Sequence, residues 1–389
     1  MTRTRSGWKV GIALVAASTM MAACSSGGGD DGAEDTTVKI GLINSLTGPA
    51  ATVGLPAQDA YDALIAKAEK DGLSGFDIEV IQLDDRTDPT EASRAVTELV
   101  NEDVDVILGP LTGTAILAAA PVAAREEKPL IVYAGTQSIT DPSDFFDWIF
   151  RAGPPDESLW AASIDHLAAD EDIETVGIIS EETAYGKDAV TGIEERLTGH
   201  GIEVVESVHA PADAVDVTAQ VRKVRSAEPD AVIAAVSIGT LANSIAKAKE
   251  AMGFDVPLYG NSYLATTTFR DGAGSAATGA IGPAYMNLDD PSEKISSGIG
   301  ALADEAGFEL TGTGEILAAN TWAVLEQALA AVDGEVDGAS IRDAIESLCD
   351  IDAYTEGLGC FTDDDHDGWD ETGLIVVRRG ADGTLETIG

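Results

Sequence analysis

Short apolar runs alternate with helix-periodic segments along most of the chain, and this alternation restricts the fold more than any other feature. Residues 38–43 read as a buried strand, and residues 77–83, 104–108 and 130–133 as further strands. Between them, residues 58–70, 89–101 and 114–125 read as helices, the first marked by Ala60, Tyr61, Leu64, Ile65 and Ala68 on one face. Strands that are apolar throughout belong to a parallel sheet covered by helices on both sides, so the class is α/β. The pattern restarts after residues 150–155, where Gly153, Pro154 and Pro155 read as a crossover. Helices at 157–168, 184–199, 218–226 and 241–252 then alternate with strands at 175–179, 203–208, 231–236 and 258–259. Two such runs predict two Rossmann-like lobes with parallel sheets on either side of a cleft. Helices at 293–305, 315–332 and 339–348 and a strand at 374–378 close the chain.

The first residues read as an export signal. Arg3, Arg5 and Lys9 precede an apolar run over 10–21 that is too short to span a bilayer. Met21-Ala22-Ala23-Cys24 follows, small residues ending in a cysteine. Cleavage before Cys24 by a bacterial signal peptidase would leave it lipidated; ordinary secretion is the other reading. Residues 1–23 are thus expected to be a lipoprotein signal peptide, and the Gly- and Ser-rich residues 24–37 a flexible tether from the membrane.

About 366 of the 389 residues remain after that cut, long for one core and suited to two lobes. The chain carries 68 acidic against 23 basic residues. Such a surface repels phosphate backbones, which excludes nucleic-acid partners, and disfavours anionic headgroups, which favours covalent lipid attachment. Cys349 and Cys360 are close in sequence, and a disulfide is the default in an exported chain, contributing roughly 2–3 kcal/mol for so short a loop. Signals of catalysis are poor. His166, His200, His209 and His366 lack metal spacing, and no nucleophile elbow or Walker loop is present. Gly272-Ala273-Gly274-Ser275-Ala276-Ala277 imitates a dinucleotide fingerprint but has no strand directly before it and reads as a surface turn.

Several motifs recur in an order that resembles one family. Gly41-Leu42-Ile43-Asn44-Ser45-Leu46-Thr47-Gly48-Pro49 is similar to its first strand and Leu-Thr-Gly-Pro loop. Asp84-Asp85-Arg86-Thr87-Asp88-Pro89 is similar to its second-strand exit, Leu108-Gly109-Pro110-Leu111-Thr112-Gly113-Thr114 to its Ile-Gly-Pro ligand loop, and Ala184-Tyr185-Gly186 to its hinge-side Tyr-Gly motif. From residue 38 to the C-terminus the chain resembles the type I extracellular solute-binding proteins of ABC transporters, in the branched-chain amino acid and amide group. The resemblance implies two lobes joined by three crossing strands and closing on a small ligand. It places lobe 1 in residues 38–152 and 286–358 and lobe 2 in 153–285 and 359–389.

The resemblance also nominates ligand contacts. Thr112, Gly113 and Thr114 open a helix and offer hydroxyl and N–H donors, or one threonine simply caps the helix. Ala134, Gly135 and Thr136 match a small-small-Thr segment that holds the α-amino acid group, with Gly135 allowing close backbone approach. Tyr185 sits where the family stacks an aromatic on its ligand; a packed core tyrosine is the alternative. Ser237, Ile238 and Gly239 follow one lobe 2 strand, and Asn261, Ser262 and Tyr263 the next. The chain departs from the family there, because amino-acid binders usually carry Glu or Asp in that loop. Either Asp156 or Glu157 substitutes, or the ligand is not a zwitterion. Val53 stands where an aromatic is common. Asp363, Asp365, Asp367 and Gly368 fit the start of a calcium loop, with Glu371 at its ninth position but Leu374 at its twelfth; a polar turn is the other reading.

The expected function is capture of a small polar ligand for an ABC importer by a monomeric, lipid-anchored extracytoplasmic protein working with permease subunits, without catalysis or cofactor. A ligand-sensing receptor domain is the rival reading.

Overall fold

The computed structural model describes residues 37–143, 145–237, 239–369 and 373–389. The signal peptide, Cys24, Ile238 and Glu371 lie outside the described residues. Strands β1 (Thr37–Asn44), β2 (Asp77–Asp84), β3 (Val106–Leu108), β4 (Leu130–Val132) and β5 (Ile149–Arg151) form the first sheet. Helices α1 (Ala51–Asp71), α2 (Pro89–Asn101) and α3 (Gly113–Arg125) connect them. The chain continues through α4 (Asp156–Ala168), β6 (Thr175–Glu181), α5 (Ala184–His200), β7 (Glu203–Ala210), α6 (Thr218–Arg225), β8 (Ala231–Ala235), α7 (Thr240–Ala251), β9 (Leu258–Gly260), α8 (Thr267–Ala273) and β10 (Ala280–Ala284). It ends with α9 (Glu293–Ile295), α10 (Ala301–Ala306), α11 (Gly314–Ala331), α12 (Gly338–Ile345), β11 (Ile375–Arg379) and β12 (Leu385–Thr387).

The first sheet runs β2-β1-β3-β4-β5 and every pair in it is parallel. The second runs β12-β11-β10-β9-β8-β6-β7, parallel from β10 to β7, with β11 and β12 antiparallel at its edge. Each sheet is covered on two sides. Tyr61, Leu64 and Trp322 pack on one face of the first sheet, and Val96, Leu99 and Ile116 on the other. Val221, Leu241 and Phe269 cover one face of the second, and Trp160, Ile164 and Ile193 the other. Burying each such side chain contributes about 1.5–3 kcal/mol, so the sheets are fixed by their apolar faces.

Departures from the expected elements have local causes. Helix α1 starts at Ala51 rather than residue 58 and runs through Pro56; Asn44 Nδ2 donates to Gly54 O at 2.8 Å and pins its first turn. The helix expected at 293–305 is interrupted at Gly298, whose backbone is non-helical and packs against Tyr354 O. The segment read as a surface turn at 272–277 is instead the end of α8 and a 3-10 turn, with Ala273 and Ala277 buried. Strands β5, β10 and β12 and helix α8 are additions to the expected set.

Cys349 and Cys360 are joined by a disulfide. Beyond it the chain stays with the first sheet: Phe361 is in the same core as Trp322, and Asp367 forms a parallel bridge with Arg151 at the end of β5. Arg151 N donates to His366 O at 2.9 Å and Gly368 N to Arg151 O at 3.0 Å. The last passage to the second sheet therefore follows Trp369, not residue 359, because Phe361 and Asp367 are held on the first sheet by packing and backbone hydrogen bonds.

Candidate functional site

Two loops at the carboxyl ends of β3 and β4 meet at one point. Gly109 has φ +88°, and a Cβ there would lie 2.0 Å from Ile43 O, so only glycine lets the β3 loop leave the sheet. A Cβ on Gly113 would lie 2.0 Å from Thr136 Oγ1. A Cβ on Gly135 would lie 2.3 Å from Asp156 Oδ1, and Asp156 N donates to Gly135 O at 2.6 Å. The glycines thus stack the β3 loop, Thr136 and the first residue of α4 against one another.

A cavity of about 600 Å³ opens in front of this stack. Thr114 and Thr136 line it from the first sheet's loops, Asp156 and Trp160 from α4, and Tyr185 and Asp188 from α5. Of the nominated contacts, Thr114, Thr136 and Tyr185 face this space. Gly113 and Gly135 shape the wall behind it. Ala134 packs in the first sheet's core, and its carbonyl accepts from Arg151 Nη1 at 3.3 Å. Thr112 is the residue before α3, yet it makes no capping bond; its Oγ1 is buried without a partner among the described residues.

The second sheet's loops support Tyr185. Ser237 donates from N and Oγ to Glu181 Oε2 at 2.8 and 2.9 Å, which commits it to a buried carboxylate. Asn261 Nδ2 donates to Val236 O at 2.7 Å and to Tyr185 Oη at 3.3 Å, while Asn261 Oδ1 caps Tyr263 N at 3.1 Å. Ser262 is buried against the Tyr285 hydroxyl. Val53 packs on the first core, its carbonyl against Gly314.

The wall is acidic. Asp141, Asp156, Glu157, Asp188 and Glu195 line the cavity, together with Arg196, which also pairs with Asp165. Burial pushes the Asp156 carboxyl up to about 7; Arg151 opposes the shift, and Glu181 and Asp188 add to it. Burial also raises the Tyr185 hydroxyl, with Asp156 adding and the Asn261 bond opposing. A positive group entering this space would meet several acidic side chains, two aromatic rings and two threonines.

Sequence reasoning missed Arg151, Trp160 and Asp188. Arg151 had a readable signal, a lone cation in the apolar run Ile149-Phe150-Arg151-Ala152, which demands a partner. That partner is one of the three aspartates of the calcium candidate. Asp367 pairs with Arg151 through both carboxylate oxygens, Oδ2 at 3.0 Å from Nη2. Asp363 and Asp365 are exposed, and no group of three metal-ligating side chains converges among the described residues.

The same architecture occurs in known proteins. The Leu/Ile/Val-binding protein BraC3 of Rhizobium johnstonii is 24% identical over 82% of this chain and 87% of its own. An extracellular ligand-binding receptor from Rhodopseudomonas palustris HaA2 superposes with a TM-score of 0.81 at 26% identity, covering 90% of this chain and 99% of that one. A solute binding protein of an ABC transporter from Rhodopseudomonas palustris BisB5, solved in complex with 3,4-dihydroxybenzoic acid, superposes with a TM-score of 0.77 at 26% identity over 91% and 96%. A family model described as "Periplasmic binding protein" matches residues 37–382. The chain therefore belongs to the periplasmic binding protein family in its type I fold, whose members bind solutes outside the cytoplasm and are not enzymes.

Proposed function

We propose that this chain is the substrate-binding lipoprotein of an ABC importer and captures a branched-chain amino acid, an amide or a related carboxylate in the cleft. A lipid on Cys24 holds it to the outer face of the cell membrane. The carrying observation is that Thr136, Tyr185 and Asp156 line one cavity of about 600 Å³. In this reading Asp156 receives a ligand ammonium, in place of the acid that the loop at Asn261 and Ser262 lacks. Thr114 and the amino end of α3 receive a carboxylate or amide oxygen. One lobe, built on residues 38–152 and 286–369, closes against the other and hides the ligand from water. BraC3, named for leucine, isoleucine and valine, supports the amino-acid form; the dihydroxybenzoic acid complex supports the carboxylate form.

The test is a melting screen of folded, ligand-free protein against leucine, valine, short amides and benzoic acids. A true ligand stabilises by about 2.7 kcal/mol at a hundredfold excess over its Kd. A shift with leucine or valine that is lost in Asp156→Asn supports the ammonium role. An equal shift in that variant removes Asp156 from it, and no shift with any member overturns the ligand class. Labelled palmitate should enter the wild type and not Cys24→Ser; no label in the wild type removes the anchor.

A further inference from the structure

The Asp-rich loop near the C-terminus has a buried end that the proposed function does not use. Arg151 has no exposed surface. Its Nη1 donates to Thr136 O at 2.9 Å and Ala134 O at 3.3 Å, the carbonyls on either side of Gly135. Its Nε and Nη2 reach Asp367, and Nη2 also reaches Thr140 Oγ1. Thr140 Oγ1 in turn donates to Asp367 Oδ1 at 2.9 Å. A guanidinium without solvent is stable only when its donors are matched, and a bidentate carboxylate is the strongest match. The loop is itself held: Phe361 N donates to Leu348 O at 2.9 Å beside the disulfide. His366 stacks between Phe146 and Phe150, with ring centroids 4.2 Å from each.

We infer that Asp367 is a positioning residue of the cleft: acting through Arg151, it fixes the backbone of residues 134–136 so that the Thr136 hydroxyl faces the ligand. This rests on the ligand reading of the cleft, but the positioning itself is measurable without a ligand. Both carbonyls that Arg151 holds belong to the segment whose side chain lines the cavity. Thr136 also packs on Gly113 and Gly135 on Asp156, so a loosened segment disturbs three parts of the wall together. The residue that makes this bond is 216 positions from Arg151.

The experiment compares wild type, Asp367→Asn, Asp367→Glu and Thr140→Val. It measures deuterium uptake by peptides covering residues 133–140, uptake by peptides from β1 and β8, and the Kd for L-leucine. Expected is faster exchange at 133–140 in Asp367→Asn with β1 and β8 unchanged, a Kd raised tenfold or more, and partial recovery of both in Asp367→Glu. Thr140→Val keeps the ion pair and should give the same pattern more weakly, which covers the case in which Asp367→Asn does not fold. Unchanged exchange at 133–140, or equal acceleration across all peptides, overturns the inference. If wild type does not bind leucine, the amino-acid form of the ligand reading fails separately and the exchange pattern still decides the positioning role.

Discussion

Replacing Asp156 with Asn should make the ligand-free protein more stable at pH 8, an unusual result for a cleft residue. Burial carries this carboxyl from 3.8 to about 7, so the folded state holds its proton more tightly than the unfolded chain does. The sign follows from that order. Above about pH 7 both states are ionised and the folded state bears the whole cost of the buried charge. As pH falls from 7 toward 3.8, the folded state takes up the proton first and the cost is relieved. At about 1.4 kcal/mol per tenfold, the ceiling is about 4 kcal/mol, and solvent relaxation around a half-buried group lowers the expectation to about 1–3 kcal/mol. Asn keeps the shape and removes the charge. Urea unfolding of wild type and Asp156→Asn at pH 5, 6, 7 and 8 measures the difference directly. The variant should gain most at pH 8, and the gain should shrink steadily toward pH 5. A variant no more stable than wild type at pH 8, or a gain that does not change with pH, would refute the assignment of an uncompensated charge to Asp156.

Thr136→Ala should weaken ligand binding by about 1–3 kcal/mol in calorimetry, since Thr136 lines the cavity, with little change in melting temperature. Gly113→Ala places a Cβ 2.0 Å from Thr136 Oγ1 and must rotate or displace that side chain; the same titration should show binding reduced at least about tenfold. Replacing Cys349 and Cys360 with Ser removes a short covalent loop and should cost about 2–3 kcal/mol in urea unfolding. That loss should appear alike with and without ligand.

The central strands β1, β3, β4, β6 and β8 were legible because burial on both faces leaves no polar alternation to confuse the reading, whereas the outer strands β2 and β7 keep exposed polar residues. β10 was hidden by its own composition. It contains Gly282 and Pro283, residues that usually argue against a strand. Gly282 is needed because a Cβ would lie 2.7 Å from Asn261 O. The parallel ladder with β9 covers only Ala280 and Ile281, so Pro283 lies beyond it. Tyr285, which follows β10 and meets Ser262, was missed with the strand. The start of α1 was obscured by Pro56, which reads as a boundary until the bond from Asn44 to Gly54 is seen. In the site, the glycine and threonine motifs were readable because their conformational demands are local. The pairing of Arg151 with Asp367 was not, because spacing says nothing about residues that the topology alone brings together.

The Asp-rich loop shows how one composition supports two opposite readings. A row of aspartates at alternate positions suits a cation that all of them face. Here the cation is a side chain, Arg151, and only Asp367 turns inward to meet it, while Asp363 and Asp365 remain in water. The absence of an acid from the loop at Asn261 follows similar logic. Glu181 and Asp188 already raise the Asp156 carboxyl, and a further carboxylate beside Tyr185 would add like charge to a wall that holds several acids. Asn261 instead donates to Val236 O and the Tyr185 hydroxyl, which a carboxylate without a proton cannot do, while its Oδ1 caps the following turn. The polar residue in that loop therefore fixes the aromatic wall, and the acids of the cavity come from the start of α4, from α5 and from Asp141.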